Sequence, residues 1–226
     1  GGILMLLVVL ITCLCWANWS KPCVWIFLGG VIMFGLIGLW DDLNKIRYKK
    51  GISALQKWFL SLGSAFLIAV ALVSTGTVST HMHVSFFKNF LPDLGFFFLI
   101  WAMLVIVGCS NAVNLTDGLD GLASGVILPN FGTFALLIYA SGHFQIAGYL
   151  HVPFTGNAEV TVVCSALIGS VLGFLWYNAH PAQMFMGDGG SLSLGCALAL
   201  LGLMSKQEFL LVLSGGVFVI ETLSVI

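Results

Sequence analysis

Five of the nine acidic residues in the chain fall in three short polar segments that separate long apolar runs. They are Asp41, Asp42, Asp117, Asp120 and Asp188. Carboxylates crowded at a membrane boundary repel one another and lose hydration, so a cation or a basic side chain must neutralise them. Oxygen ligands without histidine or cysteine partners favour a hard ion, Mg²⁺ or Mn²⁺, which also engages substrate phosphates.

The central polar segment combines carboxylates with amides and glycines, and its side chains are Asn111, Asn114, Asp117 and Asp120. If a helix begins near Thr116, Asp117 and Asp120 lie on one helix face, because residues i and i+3 are neighbours there. Amides beside carboxylates can hold a sugar, a base or a water molecule. The alternative is that Asp117 and Thr116 only cap the next helix, which leaves Asp120 and both asparagines unexplained.

The first polar segment begins with two adjacent acids, Asp41 and Asp42. On a helix adjacent residues point about 100° apart, so we expect the two carboxylates to do different jobs. One can face a metal or an acceptor while the other meets Lys45 or Lys57. The alternative is two ordinary acids that end a helix, which the helix dipole disfavours at a C-terminus.

The third polar segment, residues 187–191, reads Gly-Asp-Gly-Gly-Ser and opens an apolar run. We expect Asp188 or Ser191 to be the N-cap of a helix there. Backbone N–H groups at a helix start attract anions, and glycines allow a phosphate to approach closely. No G-K-[ST] follows, so the segment is not a Walker A loop. Phe185 is either a stacking surface for a nucleobase or a packed aromatic residue.

The apolar runs between these segments indicate a membrane protein. Hydrophobic residues make up 59% of the chain and charged residues 8%, against roughly 25% charged residues in soluble domains. The pattern predicts one all-α polytopic domain over residues 1–226, with about eight spans, of which the seventh is short and either partly buried or tilted. The predicted spans are Gly2–Trp19, Cys23–Trp40, Ser53–Ser74, Gly95–Ser110, Leu119–Ala140, Val160–Tyr177, Ser191–Met204 and Phe209–Ile226.

All three acidic segments follow even-numbered spans, so they share one membrane face. That face carries five of the eight basic residues, and the positive-inside rule therefore makes it cytoplasmic. These five are Lys45, Arg47, Lys49, Lys50 and Lys57. On the opposite face, the segment Thr75–Asp93 contains His81, His83, Phe86 and Phe87. An H-x-H pair can bind a metal, but we favour an extended hairpin.

Two classes of function use acids in a membrane. One is an enzyme that handles phosphates with a divalent cation at the membrane boundary. The other is an ion-coupled transporter, whose acids usually lie near the bilayer midplane on broken helices. Here the acids cluster at the ends of predicted spans, which favours chemistry over transport.

Over essentially its whole length the chain resembles the bacterial phospho-N-acetylmuramoyl-pentapeptide transferases, or translocase I. This family lies within the superfamily of polyprenyl-phosphate N-acetylhexosamine-1-phosphate transferases. The motifs are D-D at 41–42, G-I-S-A-L-Q-K at 51–57, N-A-V-N-L-T-D-G-L-D-G-L-A at 111–123, N-A-H-P-A-Q-M-F-M-G-D-G-G-S-L-S-L-G at 178–195, and Q-E-F-L-L-V followed by G-G-V-F-V-I-E-T-L-S-V-I within 207–226. The segments 51–57 and 207–226 favour the muramoyl branch over a GlcNAc-1-phosphate transferase.

The resemblance implies transfer of phospho-MurNAc-pentapeptide from its UDP carrier to undecaprenyl phosphate, which gives lipid I and UMP and uses Mg²⁺. The family works in the bacterial cytoplasmic membrane with its active site on the cytoplasmic face. Its fold has ten spans, so residues 1–226 are expected to hold the second to the ninth and to be inactive without a histidine-rich loop that follows them. A homodimer is compatible with the family, and no nucleic-acid partner is expected.

The resemblance also assigns roles to residues. Asp188 is expected to bind Mg²⁺, and it forms the expected catalytic group with Asp41, Asp42 and Lys57. The expected substrate-binding residues are Lys45, Asn111, Asn114, Asp117, Asp120, Asn178 and Phe185, with Phe185 stacked on uracil. Direct in-line attack by the lipid phosphate is the favoured chemistry. Asp41 as a general base and an aspartyl-phosphate intermediate both stay open.

Overall fold

A computed structural model of the chain describes residues 1–83 and 92–225. Within these residues the secondary structure is helical, apart from an isolated antiparallel bridge between His81 and Asp93. The predicted all-α fold is therefore confirmed. The helices are α1 (Gly2–Trp16), α2 (Pro22–Tyr48), α3 (Ala54–Ser74), α4 (Phe97–Thr116), α5 (Leu122–Gly142), α6 (Phe144–Leu150), α7 (Val160–Asn178), α8 (Gly187–Ser205), α9 (Glu208–Ser214) and α10 (Gly216–Val225).

Six helices in the described part of the chain are long and apolar enough to cross a membrane: α2, α3, α4, α5, α7 and α8. The chain is accordingly a multi-pass membrane protein. Helix α1 has 15 residues, fewer than the roughly 20 that span a bilayer without tilt or thinning. The predicted count of about eight spans is not confirmed.

The last predicted span, Phe209–Ile226, consists of two short helices in the described residues, α9 and α10. They meet at Gly215, where a Cβ would lie 2.6 Å from the carbonyl oxygen of Leu211. Gly and Ser pairs are common sites of helix kinks, and Ser214 precedes two glycines here. Average hydropathy does not register such a break.

Two helices extend further on the acidic side than the apolar runs predict. Helix α2 continues from Trp40 to Tyr48, and α4 continues from Ser110 to Thr116. The first two polar segments therefore begin on helical turns and not in loops. Hydropathy locates the point where apolar residues stop, whereas a helix ends where its backbone hydrogen bonding ends.

Helix α8 lies at the centre of the bundle. Every residue from Gly189 to Ser205 is buried, and α8 packs against α2, α4 and α5. Helix α2 approaches so closely that a Cβ at Gly38 would collide with the Asp188 carbonyl group. Of the two alternatives for the seventh span, burial is confirmed and is nearly complete, but the helix has 19 residues and is not short.

The connections at the end opposite the acids are tied together by buried polar side chains. The Asn157 amide donates to the carbonyls of Thr77 at 3.1 Å and Met204 at 3.2 Å. Lys206 donates to the Ser79 carbonyl. These bonds join the connections that follow α3, α6 and α8. The three connections therefore lie at the same end of the bundle, as the parity of the spans predicts.

The predicted hairpin on this side is confirmed at its base. The Met82 amide donates to the Pro92 carbonyl at 3.0 Å, and the Leu94 amide to the Thr80 carbonyl at 3.3 Å. Phe86 and Phe87 lie outside the described residues.

Candidate active site

Two lysines and two aspartates from α2, α3 and α8 form one charged group. Lys57 Nζ lies 2.6 Å from Asp188 Oδ2 and 3.6 Å from Asp41 Oδ2. Lys45 Nζ lies 3.0 Å from Asp188 Oδ2 and 2.8 Å from Asp41 Oδ2. The structure thus brings together four residues that the sequence analysis placed at the site, and the two cations neutralise two closely spaced carboxylates.

A capping box places Lys57 at this group. Ser53 is the N-cap of α3: its hydroxyl accepts from the Gln56 amide, and the Gln56 side chain accepts from the Ser53 amide, both at 3.2 Å. This reciprocal pair satisfies two N–H groups at the helix start. Lys57 follows in the first turn of α3. The motif at 51–57 therefore sets the direction in which the lysine projects.

Asp41 and Asp42 share one partner, Lys45, whose Nζ lies 2.8 Å from Asp41 Oδ2 and 3.8 Å from Asp42 Oδ1, but their hydrogen bonds differ. Asp41 is 4% exposed and accepts from the Ile52 amide at 2.7 Å in addition to its lysine contacts. Asp42 accepts from the amides of Asp188 at 3.3 Å and Gly189 at 3.1 Å. Which of the two contacts an acceptor stays a prediction.

Asp42 therefore caps the N-terminus of α8 from another helix. Helix α8 begins at Gly187, and its N-cap, Met186, makes no side-chain cap hydrogen bond. The expectation that Asp188 or Ser191 is the N-cap is wrong. The carboxylate of Asp42 occupies the backbone N–H groups that the sequence suggested for a phosphate.

The expectation that Asp117 and Asp120 share a helix face is also wrong. Asp117 is the C-cap of α4, a turn follows, and α5 begins only at Leu122. Gly121, the N-cap of α5, adopts a left-handed φ of 73° and provides no side-chain cap. The capping alternative for Asp117 and Thr116 therefore fails as well, because the N-cap of α5 is Gly121 and neither side chain lies at the start of that helix.

Asp120 and Asn178 hold the turn after α4 against the segment before α8. Asp120 Oδ2 accepts from the Ala182 amide at 3.2 Å. Asn178 is buried; its Oδ1 accepts from Ser124 Oγ at 2.8 Å and from the Gly121 amide at 3.2 Å. Its Nδ2 group donates to the Met184 carbonyl at 2.9 Å. The expected contacts of both side chains with substrate stay predictions.

The remaining predicted binding residues differ in whether their side chains are hydrogen-bonded within the protein or exposed. Asn111 donates to the Val107 carbonyl of its own helix at 2.8 Å. Asn114 accepts from Ser191 Oγ at 2.6 Å. Phe185 is 71% exposed, so the interpretation as a packed aromatic residue is wrong, and its ring face is available for stacking.

The Asp117 side chain carries no hydrogen bond or ion pair within the described residues. Burial, and then the negative charges of Asp188 and Asp42, raise the pKa of its carboxyl group to about 7. The lysines neutralise Asp41 and Asp188 but leave Asp117 without a cation. The site therefore carries more negative charge than its own lysines balance.

Sequence reasoning missed the Ser124 hydroxyl, which orients Asn178, and it assigned Ser191 only to an N-cap, whereas the Ser191 hydroxyl orients Asn114. Both serines are fully buried. The sequence signal that could have identified these roles is a serine on a membrane helix within one turn of a polar motif. Serine is common in such helices and often bonds its own backbone, so that signal is weak without coordinates.

Residues 24–206 match the sequence model described as "Glycosyl transferase family 4". The chain is 46% identical over 228 residues to a phospho-N-acetylmuramoyl-pentapeptide-transferase of Desulfotalea psychrophila, and 48% identical over 227 residues to that of Aquifex aeolicus. Both alignments cover 100% of this chain, and they cover 64% and 63% of the two relatives. The chain thus spans a little under two thirds of the length of these proteins.

Proposed function

The chain belongs to glycosyl transferase family 4, and on that premise we propose that it carries the catalytic core of a phospho-N-acetylmuramoyl-pentapeptide transferase. The proposed reaction transfers phospho-MurNAc-pentapeptide from UDP-MurNAc-pentapeptide to undecaprenyl phosphate, forming lipid I and UMP. The proposed location is the bacterial cytoplasmic membrane, with the acidic end of the bundle in the cytoplasm. The relatives from Desulfotalea and Aquifex bear this activity in their names.

The observation that carries the proposal is the group formed by Lys45, Lys57, Asp41 and Asp188 at the end of the membrane helices. A lipid phosphate must meet a water-soluble nucleotide at the membrane boundary, and this group lies there. Lys45 is about half exposed at its side chain, 47%, whereas Lys57 is 19% exposed. The Lys45 ammonium group is therefore the one that solvent, and so a substrate phosphate, reaches most easily.

The proposed chemistry is a direct in-line displacement. An oxygen of the lipid phosphate attacks the phosphorus that bears the sugar; a new P–O bond forms, and the bond to the oxygen of UMP breaks. A phosphate with a second pKa near 6 is largely dianionic at neutral pH, so the attack needs no strong base. Lys45 and Lys57 would stabilise the charge that develops on the phosphoryl oxygens.

Among the described residues no three acidic, histidine or cysteine side chains are grouped to hold a metal ion by themselves, so the proposed Mg²⁺ would depend on one aspartate together with substrate phosphates and water. Asp42, Asp117 and Asp188 are close enough that the charges of two of them raise the pKa of the third, and such crowding is relieved by a divalent cation. Mg²⁺ usually takes one or two carboxylates and completes its shell with water and substrate phosphates. Asp188 would be the protein ligand, and the ion would neutralise charge on the transferred phosphoryl group.

Binding of the nucleotide sugar is proposed for the polar surface beside this group. Phe185 offers an exposed ring to uracil, and the base would stack on it. Asn111, Asn114 and Asp117 at the end of α4 would hydrogen-bond to the donor. Asp120 and Asn178 fasten the surrounding segments and would hold this pocket in shape.

The experiment measures UMP release and lipid product from membranes that carry the protein at its natural length. UDP-MurNAc-pentapeptide should be consumed with undecaprenyl phosphate and Mg²⁺, and UDP-GlcNAc should not. Turnover of UDP-GlcNAc alone would assign the chain to the GlcNAc-1-phosphate branch. Transport of a substrate into proteoliposomes without UMP release would contradict both enzyme assignments.

We expect Asp188→Asn to lower Mg²⁺-dependent transfer by at least about 100-fold, since a metal ion supplies several kcal/mol of charge stabilisation. The matched control is Asp93→Asn, the same chemical change at the opposite end of the bundle, where Asp93 accepts from Thr80 and Gly95. Control activity should equal that of the wild type. Retained transfer by Asp188→Asn would contradict the metal assignment.

A further inference from the structure

Ser191 is a buried hydroxyl that the proposed chemistry does not use. It lies in the first turns of α8, three residues after Asp188, and is 0% exposed. Its Oγ is 2.6 Å from Asn114 Oδ1 on α4 and 3.1 Å from the Gly187 carbonyl of its own helix. It therefore connects the helix of Asp188 with the helix that carries Asn114 and ends at Asp117.

The short distance determines which way the Asn114 amide faces. A hydroxyl has one proton to donate, and 2.6 Å lies in the range of O–H···O hydrogen bonds and below the usual range of N–H···O bonds. Ser191 is therefore the donor and Asn114 Oδ1 the acceptor. The Nδ2 group of Asn114 then points away from Ser191. The Nδ2 group of Asn111, by contrast, donates a hydrogen bond to the Val107 carbonyl of its own helix at 2.8 Å.

The Nδ2 group of Asn114 forms no hydrogen bond within the described residues. Asn114 lies three residues before Asp117, and its partner Ser191 lies three residues after Asp188. Through the Ser191 hydrogen bond, the Asn114 side chain is joined to α8 one helical turn after Asp188. Aspartates in this position repel a phosphate, whereas an amide NH₂ group donates to its oxygens.

We propose that Ser191 is a positioning residue, which turns the Asn114 amide so that its Nδ2 group donates to a phosphoryl oxygen of the nucleotide donor. The inference rests on the proposed function and adds the group of the substrate that Asn114 recognises. Without the Ser191 hydroxyl, the amide can rotate and present its oxygen to the phosphate. Recognition of the phosphates would then weaken, while recognition of the nucleoside would not.

The experiment compares two inhibitors, UDP and uridine, competing with UDP-MurNAc-pentapeptide for the protein at its natural length. Ser191→Ala should weaken inhibition by UDP and raise the KM of the donor by about tenfold, the worth of one orienting hydrogen bond to a charged ligand. Inhibition by uridine and the KM of the lipid acceptor should not change. A merely structural role would alter both inhibitors alike.

Ser193→Ala is the matched control. Ser193 is equally buried on α8, and its hydroxyl donates to the Gly190 carbonyl of its own helix at 2.7 Å. This variant should bind both inhibitors as the wild type does. Thermal unfolding in detergent shows whether each variant is folded.

A second variant keeps the test decisive if Ser191→Ala does not fold. Asn114→Asp can still accept from Ser191, but it replaces the N–H donors with an oxygen that repels phosphate, so inhibition by UDP should weaken by more than tenfold with uridine inhibition retained. Unchanged UDP inhibition, or equal weakening of UDP and uridine, overturns the inference. A wild-type protein that does not consume UDP-MurNAc-pentapeptide contradicts the proposed function instead.

Discussion

Asp117 differs from the other acids at the site because, within the part of the chain that the structure describes, no cation is paired with it. Asp41 and Asp188 each contact two lysines, and Asp42 caps α8. Burial and the neighbouring charges of Asp188 and Asp42 raise the pKa of Asp117 from 3.8 to about 7. The folded protein therefore binds a proton more tightly at Asp117 than the unfolded chain does.

This difference predicts how stability depends on pH. Between the unfolded pKa of 3.8 and the folded pKa of about 7, the folded state holds the extra proton, so the free energy of unfolding falls as pH rises and is lowest above 7. Asp117→Asn removes the ionisable carboxyl group and therefore this loss of free energy of unfolding at high pH. We expect the variant to melt at a higher temperature than the wild type, with a larger gain at pH 8 than at pH 5.5, measured by thermal unfolding in detergent.

Asp93→Asn is the control for this pH dependence. Hydrogen bonds from Thr80 and Gly95 lower the pKa of Asp93, which is the opposite shift, so its replacement should give no gain at pH 8. An equal gain for Asp117→Asn at both pH values would contradict the role of its carboxylate charge.

For single residues, the sequence predicted which side chains carry charge at the site but not which residues they contact. Lys57 meets Asp188 across 131 positions, and Asp42 meets the Gly189 amide across 147. Such contacts depend on how whole helices pack, which no local pattern contains. The adjacent pair Asp41 and Asp42 is the exception, because helix geometry alone separates their directions.

Helices α2 and α8 form the unit on which the site is built. Glycine at position 38 lets the two backbones approach closely, and Asp42 then reaches the first amides of α8. A carboxylate near a helix N-terminus is stabilised by unpaired N–H groups and by the helix dipole. Asp42 thus fixes the start of the helix that carries Asp188.

We expect Asp42→Ala to lower the free energy of unfolding by about 1 kcal/mol, the usual cost of losing an N-cap side chain. That loss corresponds to a drop of about 2–4 °C in melting temperature for a chain of this size. Asp42→Asn keeps an acceptor oxygen and should recover part of the loss. Thermal unfolding in detergent measures both variants.

The control for the cap is Asn44→Ala on the same helix, because the Asn44 side chain makes no hydrogen bond within the described residues. It should melt at the wild-type temperature or slightly above it, because alanine forms helices more readily than asparagine. Asp42→Ala that melts no lower than this control would show that the cap adds nothing to stability.

The positions of the membrane helices were predictable from hydropathy, whereas their ends were not. The polar last turns of α2 contain residues that form helices readily, so the helix continues beyond the apolar run. The turn after α4 ends where it does because Gly121 adopts a left-handed conformation. The break at Gly215 separates two apolar segments of equal character and is invisible to an average over residues.

For the whole molecule, the two ends of the bundle have different chemistry. The site end carries exposed Arg47 in the last turn of α2 and exposed Lys49 and Lys50 beyond it, in addition to the two lysines of the charged group. At the other end the buried Lys206 is paired with Glu208, Nζ to Oε1 at 3.9 Å. Exposed tryptophans lie near both ends, among them Trp16 and Trp25 at one and Trp40 and Trp58 at the other, as expected for membrane interfaces.

This asymmetry predicts the orientation of the chain, since exposed basic residues favour the cytoplasmic side. Lys50, beyond α2, and Tyr149, 85% exposed on α6, mark the two ends. In a protein whose exposed Cys15 is replaced by serine, we expect Tyr149→Cys to react with a membrane-impermeant maleimide in intact spheroplasts. Lys50→Cys should react only after the membrane is permeabilised, because the proposed orientation places the acidic end of the bundle in the cytoplasm. The reverse labelling pattern would place Asp188 and its lysines outside the cell and would contradict the use of a cytoplasmic nucleotide sugar.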